Sequence, residues 1–225
     1  MQKITVLLAD DHNVVRQGLR ALLIVDGDVE IIGEAETGRQ AVLMAKKLLP
    51  DVVVMDIAMP LLNGLEATRQ ITKQLPGTKV LVLSSYSDDE YVQQLVEAGA
   101  AGYLVKQSAA NDLLKAIREA KRGNTFFSPT VAKRLRDHSR EAFANGQPIK
   151  KRSDHLTSRE SEVLQLIAEG QANKQIAAEL SISIKTVEKH RQHLMDKLNI
   201  HDTAGLTRYA ISAGVIESSV QLTII

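Results

Sequence analysis

Up to about residue 123 the chain alternates short aliphatic runs with amphipathic segments. Runs such as Leu7-Leu8-Ala9 and Val52-Val53-Val54 are short and lack polar alternation, which is typical of strands buried on both faces of a parallel sheet. The segments between the runs carry apolar residues at helical spacing. Helices are predicted at residues 13–23, 38–48, 65–74, 90–98 and 109–122. Strict alternation predicts a doubly wound α/β domain with five parallel strands.

From residue 156 the pattern becomes entirely helical. Thr157 followed three residues later by Glu160 is a capping box ahead of an apolar-periodic run, and Gly170 suits the end of that helix. Further helices are predicted at residues 173–180, 184–198 and 203–213, with a tight turn at Ser181-Ile182-Ser183. Four short helices without a strand predict a compact all-α module.

The segment between these regions has the composition of a linker. It starts with Phe126-Phe127-Ser128-Pro129, allows a short helix to about residue 135, and then loses apolar periodicity. Its basic run, Lys150-Lys151-Arg152, is either a solvated tether or an aid in holding DNA phosphates. The predicted organisation is therefore an α/β domain at 1–124, a linker at 125–155 and a helical domain at 156–218.

The amino-acid composition excludes or disfavours several classes of protein. The 225 residues include no Cys, which excludes disulfides, thiolate metal sites and thiol nucleophiles. Trp is absent and aromatic residues are few, which disfavours stacking on single-stranded nucleic acid. Strand-like sequence begins at Ile4 and no apolar stretch is long enough to span a bilayer, so we expect a cytoplasmic protein without a signal peptide or membrane contact.

Charge is distributed slightly unevenly. Residues 1–124 contain 14 basic and 16 acidic residues, whereas residues 125–225 contain 14 basic and 11 acidic residues. The net positive charge of residues 125–225 has the sign expected for DNA binding, but the difference in charge between the two regions is small.

Polar groups stand where the predicted strands end. Asp10 and Asp11 follow the first strand, Asp56 ends the third, Ser84 ends the fourth and Lys106 follows the fifth. Because ligands gather at the carboxyl ends of parallel strands, these groups are expected to meet at one edge. Crowded carboxylates repel unless a cation neutralises them, and Mg²⁺ is the hard, oxygen-binding cation that fits best. The pattern predicts a magnesium-assisted phosphate site with an aspartate as acceptor.

Each residue of this set also has an ordinary structural interpretation. Asp10 and Asp11 are suitable helix caps, Asp56 a turn residue, Lys106 a solvated lysine and Ser84 an unremarkable hydroxyl. Their coincidence at successive strand ends favours function. On that interpretation Asp56 attacks phosphorus, the first two aspartates hold Mg²⁺, and Lys106 and Ser84 bind phosphoryl oxygens. Gly64 suits a loop that needs an unusual backbone conformation.

With Met55-Asp56-Ile57-Ala58-Met59-Pro60 and Gly102-Tyr103-Leu104-Val105-Lys106, this set resembles the receiver domain of two-component response regulators, a flavodoxin-like fold. The resemblance implies that Asp56 is the phosphoacceptor. It implies a Mg²⁺ site formed by Asp10, Asp11, Asp56 and the Ala58 carbonyl, and a switch formed by Ser84, Tyr103 and Lys106. Many receivers have a cis proline after the lysine, whereas Gln107 follows here, and a cis bond there costs about 2.5–4 kcal/mol.

The helix predicted at 184–198 has Ile184, Val187, Leu194, Met195 and Leu198 on one face. The pattern alone fits an ordinary amphipathic surface helix. However, residues 156–216 resemble the LuxR-type DNA-binding domain, a helix-turn-helix module whose second helix enters the major groove. The residues then expected to face base edges are Lys185, Glu188, Lys189 and Gln192. Those expected to contact phosphates are Lys174, Thr186, His190 and Arg191.

Together the two resemblances imply a response regulator of the NarL/FixJ subfamily. A histidine kinase would phosphorylate Asp56 and thereby control binding to double-stranded DNA, with a homodimer on paired half-sites. One alternative is a phosphorylation-independent dimeric DNA-binding regulator. Another is an aspartate-nucleophile phosphatase, but such enzymes usually have a second acid two residues after the nucleophile, where this chain has Ala58. A transcriptional regulator that is not an enzyme is therefore expected.

Overall fold

The computed structural model describes residues 3–25, 27–84, 89–106, 109–128, 131–133 and 156–216, without the side chains of 89–91 and 109–111. The chain divides into two compact units, Met1–Arg152 and Ser153–Ile225. Gln107 and most of the predicted linker, with Lys150-Lys151-Arg152, lie outside the described residues.

The first unit contains the predicted doubly wound parallel sheet. Its strands are β1 (Ile4–Ala9), β2 (Val29–Ala35), β3 (Val52–Asp56), β4 (Lys79–Ser84), β5 (Gly102–Val105) and β6 (Phe126–Phe127), in the spatial order β2-β1-β3-β4-β5-β6. Every pairing is parallel. All five residues of the central β3 are buried, which explains why the runs are aliphatic without alternation.

In the part of the first unit that the structure describes, the faces of this sheet are covered by α1 (Asn13–Ile24), α2 (Gly38–Leu48), α3 (Gly64–Gln74), α4 (Asp89–Glu97) and α5 (Ala109–Lys121). Alternate residues of β3 point to opposite faces, so Val53 and Met55 belong to one core and Val52 and Val54 to the other. The first core includes residues of α2, α3 and α4, and the second includes residues of α1 and α5.

The sheet has one short strand more than predicted. Phe126-Phe127, assigned from sequence to the linker, pairs with Gly102 and Tyr103 of β5. The pairing follows from α5, which returns the chain to the edge of the sheet, where Phe126 packs against the second core. A two-residue run is too short for periodicity to reveal as a strand.

The second unit contains the four predicted helices: α6 (Ser158–Ala168), α7 (Asn173–Glu179), α8 (Ile184–Leu198) and α9 (Thr203–Ser212). The predicted capping box is present: the Thr157 hydroxyl accepts from the Glu160 N–H, and the Glu160 carboxylate accepts from the Thr157 N–H. Gly170 has a φ of +81°, which suits glycine at a helix end. In the described part of the chain no helix is both long and apolar enough to cross a membrane.

Candidate functional site

Strand register brings the first two carboxylates together. In the pairing of β1 with β3, Ala9 lies opposite Met55. Asp10 follows β1 and Asp56 is the last residue of β3, so their side chains meet at the carboxyl edge of the sheet. Both residues are buried, with 1% of Asp10 and 4% of Asp56 exposed. The predicted convergence of these two acids is confirmed.

Lys106 joins these acids from the end of β5. Its ammonium lies 2.9 Å from Oδ2 of Asp10 and 2.8 Å from Oδ2 of Asp56. The other carboxylate oxygens accept backbone hydrogen bonds: Asp10 Oδ1 from the His12 N–H at 2.8 Å, and Asp56 Oδ1 from the Ile57 N–H at 2.8 Å. Each buried carboxylate is thus held at both oxygens.

One ammonium compensates two carboxylates only in part. Burial, reinforced by the charge of Asp10, raises the pKa of Asp56 to about 6 although Lys106 opposes the shift. Burial lowers the pKa of Lys106, but the carboxylates of Asp56 and Asp10 outweigh it and hold that pKa above its ordinary value. The remaining negative charge favours an additional cation.

Asp11 completes the acidic cluster at its exposed side. Ligand atoms of Asp10, Asp11, His12 and Asp56 all lie within 4.8 Å of one another. Three carboxylates at this spacing suit a hard divalent cation. His12 was not among the residues selected from sequence, although it directly follows the two aspartates, and its Nδ1 lies 2.9 Å from Oδ1 of Asp11.

The loop after β3 approaches Asp56 so closely that position 64 must be glycine. The Gly64 N–H donates to the Ile57 carbonyl at 2.7 Å, and a Cβ at position 64 would lie 1.9 Å from the Asp56 carbonyl oxygen. The prediction that Gly64 supplies an unusual backbone conformation was wrong, since its φ is not positive. In this loop it is Leu61 that has a positive φ, of 66°.

The remaining predicted residues of the set lie on neighbouring elements. Ser84 ends β4, is 1% exposed and pairs in register with Val105, the residue before Lys106. Tyr103 of β5 is 1% exposed and belongs to the first core. Ala58 lies two residues after Asp56 in the loop that leads to α3.

The second unit presents a mostly polar surface on α8. The four residues predicted to face base edges are all exposed: Lys185, Glu188, Lys189 and Gln192. Lys174 on α7 is also exposed, whereas Thr186, His190 and Arg191 are half-buried. The Gln192 amide donates to Asp196 at 2.8 Å.

One residue of α8 differs from the sequence-based description. Ile184, placed on the apolar face, is 45% exposed because it is the first residue of the helix, one turn ahead of the buried Val187. The half-buried Arg191 has contacts that the sequence did not predict. Its guanidinium lies 3.3 Å from Asn173 Oδ1 and 3.3 Å from Thr203 Oγ1, so it links α8 to the starts of α7 and α9.

Two family models match the chain in consecutive regions. Residues 6–118 match the response regulator receiver domain. Residues 154–210 match the luxR family of bacterial regulatory proteins.

Individual proteins match over nearly the whole length. The transcriptional regulatory protein LiaR of Bacillus subtilis is 43% identical over 207 residues, which cover 92% of this chain and 96% of LiaR. A structure of RcsB from Salmonella typhimurium has a TM-score of 0.63 and 28% identity, covering 94% of this chain and 98% of that chain. A structure of two RcsB dimers bound to two parallel DNAs has a TM-score of 0.57 and 28% identity, covering 94% and 99% of the respective chains.

Proposed function

Since the chain belongs to the two-component response regulators with a LuxR-type DNA-binding domain, we propose that Mg²⁺-dependent phosphorylation of Asp56 controls its binding to DNA. The observation that carries the proposal is the buried Asp56 carboxylate, which lies beside Asp10 and shares Lys106 with it. The organisation we propose is a receiver at 1–124, a linker at 125–155 and a DNA-binding domain at 156–218. Its site of action is the cytoplasm, where the DNA is.

The acidic cluster fits Mg²⁺ by its donor set. Asp10, Asp11 and Asp56 offer carboxylate oxygens within 4.8 Å of one another, and the Ala58 carbonyl is the further ligand that we assign. Bound Mg²⁺ supplies charge neutralisation between the carboxylates and the incoming phosphoryl oxygens. The raised pKa of Asp56, caused by burial and by Asp10, supports the need for such a cation.

The phosphoryl donor is a phosphohistidine of a sensor histidine kinase. A carboxylate oxygen of Asp56 forms a bond to phosphorus while the bond from phosphorus to the imidazole nitrogen breaks, and the nitrogen keeps the electron pair. The product is an acyl phosphate on Asp56. Lys106 and the Ser84 hydroxyl then donate hydrogen bonds to phosphoryl oxygens.

The phosphoryl group on Asp56, which is a dianion, changes the balance between two conformations of the receiver. Movement of Lys106 and Ser84 toward the phosphoryl group alters the packing of the buried Tyr103, and with it the surface near α4 and α5. This change favours dimerisation and thereby binding to DNA. The binding of RcsB dimers to DNA supports a homodimer on paired half-sites.

The base-reading role of α8 is supported by the exposure of Lys185, Glu188, Lys189 and Gln192. We expect Lys189→Ala to weaken binding to a selected site more than to a scrambled site. Lys174→Ala, which removes a phosphate contact, should weaken both equally. Equal losses on both DNAs for Lys189→Ala would refute its base-reading role.

The test of the whole proposal is DNA binding before and after treatment with acetyl phosphate and Mg²⁺, measured by fluorescence anisotropy on a selected site. Wild type should bind more tightly after treatment and Asp56→Asn should not respond. Asp51→Asn is the matched control, because Asp51 lies before the other end of β3 and its carboxylate accepts hydrogen bonds from Thr5. A response by Asp56→Asn equal to that of wild type would overturn the phosphoacceptor assignment. Unchanged binding by wild type would instead favour the phosphorylation-independent regulator.

A further inference from the structure

Arg16 is a buried cation beside the acidic cluster. It lies in the first turn of α1, and 7% of its side chain is exposed. Its Nη1 donates to the Asp10 backbone carbonyl at 2.7 Å, Nη2 to Glu36 at 2.8 Å, and Nε to Glu34 at 3.3 Å. The planar guanidinium thus joins the end of β2 to the first residue after β1.

We propose that Arg16 is a positioning residue for the cation at the acidic cluster. By holding the Asp10 carbonyl, it fixes the peptide group between Asp10 and Asp11 and so the direction in which the Asp11 carboxylate leaves the backbone. The inference rests on the proposed function, because that cation is the one required for phosphorylation of Asp56.

Of the other contacts of Asp10, the hydrogen bond from the His12 N–H to its carboxylate spans the peptide group that follows, but it does not hold the carbonyl of that group. The Asp10 N–H donates to the Ala35 carbonyl at 3.1 Å, and its carboxylate contacts the His12 N–H and Lys106. Since a peptide group is planar, the hydrogen bond from Arg16 to the carbonyl also orients the Asp11 end of that plane.

Asp11 depends on this hydrogen bond because its own side chain lies on the solvent side of the acidic cluster. The Asp11 side chain is 30% exposed, and that of its partner at 2.9 Å, His12, is 56% exposed. A ligand on the solvent side keeps its direction only if its backbone is fixed. Partners that orient metal ligands in this way commonly change metal affinity by about 10–100-fold when removed.

Arg16 acts through geometry more than through charge. Glu34 contacts both Arg16 and Arg20, and Glu36 contacts Arg16, so two glutamates face two arginines. The group as a whole is close to neutral. Removal of Arg16 leaves two glutamates facing one arginine, and this excess negative charge would by itself strengthen cation binding. Positioning predicts the opposite: loss of Arg16 should raise the Mg²⁺ concentration required, without changing the rate of phosphorylation once Mg²⁺ saturates the site.

The test compares Arg16→Met and Arg16→Lys with Arg20→Met in the full-length chain. Methionine retains an apolar stem without donors. Lysine retains the charge, but its single ammonium is drawn to Glu34 and Glu36 and away from the Asp10 carbonyl. Arg20→Met is the matched control, since Arg20 shares Glu34 at 2.9 Å and its side chain is 45% exposed.

Two readouts separate positioning from a general loss of structure. The first is the rise in Tm with added Mg²⁺, measured without a phosphodonor. The second is the rate of phosphorylation by acetyl phosphate across a Mg²⁺ titration. Both Arg16 variants should require about 10-fold more Mg²⁺ in each readout and reach the wild-type rate at saturation. Arg20→Met should follow wild type in both.

An unchanged Mg²⁺ requirement in either folded Arg16 variant would overturn the inference, and so would a fall in the saturated rate alone. If Arg16→Met does not fold, Arg16→Lys decides the question. Failure of wild type to accept a phosphoryl group would instead contradict the proposed function, and the Tm readout would still test the role of Arg16 in cation binding.

Discussion

The Gly64→Ala substitution tests how the loop after β3 holds the reactive carboxylate. A Cβ at this position would lie 1.9 Å from the Asp56 carbonyl oxygen, 2.8 Å from its carbonyl carbon and 2.9 Å from the Ile57 Cα. All three atoms belong to the backbone, so no flexible side chain can move aside. The oxygen belongs to the same peptide group as the Ile57 N–H, which donates to the Asp56 carboxylate at 2.8 Å.

The size of the required movement sets the expected effect. Real Cβ contacts are essentially never shorter than 3.0 Å, so the Cβ and the Asp56 oxygen must separate by at least 1.1 Å. Overpacking of this kind destabilises a protein by about 1–3 kcal/mol, and a backbone clash belongs at the upper end of that range. Misplacement of a reacting group by about 1 Å slows a reaction by about 100-fold, so phosphorylation of Asp56 should fall by that order.

The assay is phosphorylation by acetyl phosphate at saturating Mg²⁺, with urea unfolding on the same preparations. Gly18→Ala is the control, because a Cβ at that α1 position would meet nothing within 4 Å. It should keep the wild-type rate and stabilise the first unit by up to about 1 kcal/mol through helix propensity. A Gly64→Ala protein with wild-type rate and stability would refute the reasoning.

Three further outcomes are expected. Thr157→Ala removes the hydroxyl of the capping box and should destabilise the second unit by about 0.5–2 kcal/mol in urea unfolding, whereas Ser158→Ala next to it should not. Burial raises the pKa of Glu160, but the Thr157 N–H and Lys197 outweigh it and hold that pKa below its ordinary value of 4.5. The contribution of Glu160 to stability is therefore complete above pH 4.5 and is lost as the pH falls through the lowered pKa. Glu160→Gln should reduce the loss of stability of the second unit at acidic pH. An unchanged dependence of stability on pH would contradict the assignment. Chelation with EDTA should stop phosphorylation and added Mg²⁺ restore it, while Mg²⁺ at about 100 times its Kd should stabilise the first unit by about 2.7 kcal/mol.

Sequence could locate the site because strand register is set by burial. The aliphatic runs determine which residues are buried, and the residues just beyond them, Asp10, Asp56 and Lys106, must then meet at one edge. The capping box at Thr157 could also be predicted from the sequence, since it depends only on residues three positions apart.

Features that depend on contacts between residues from different elements could not be predicted from the sequence. The role of Arg16 requires Glu34 of β2 and Glu36 just after that strand, and the need for glycine at position 64 requires the carbonyl of Asp56 eight residues earlier. Neither contact leaves a periodic signal in the chain. Similarly, Arg191 shows its contacts with Asn173 and Thr203 only once three helices have packed.

The most direct test of the central claim is chemical identification of the phosphorylated residue. The protein is treated with acetyl phosphate and Mg²⁺, the acyl phosphate is reduced with borohydride, and peptides are mapped by mass spectrometry. The account predicts that the reduced residue is Asp56 and that omission of Mg²⁺ abolishes it. Reduction at Asp10, Asp11 or any residue outside the cluster, or labelling of Asp56 that is indifferent to Mg²⁺, would contradict the account.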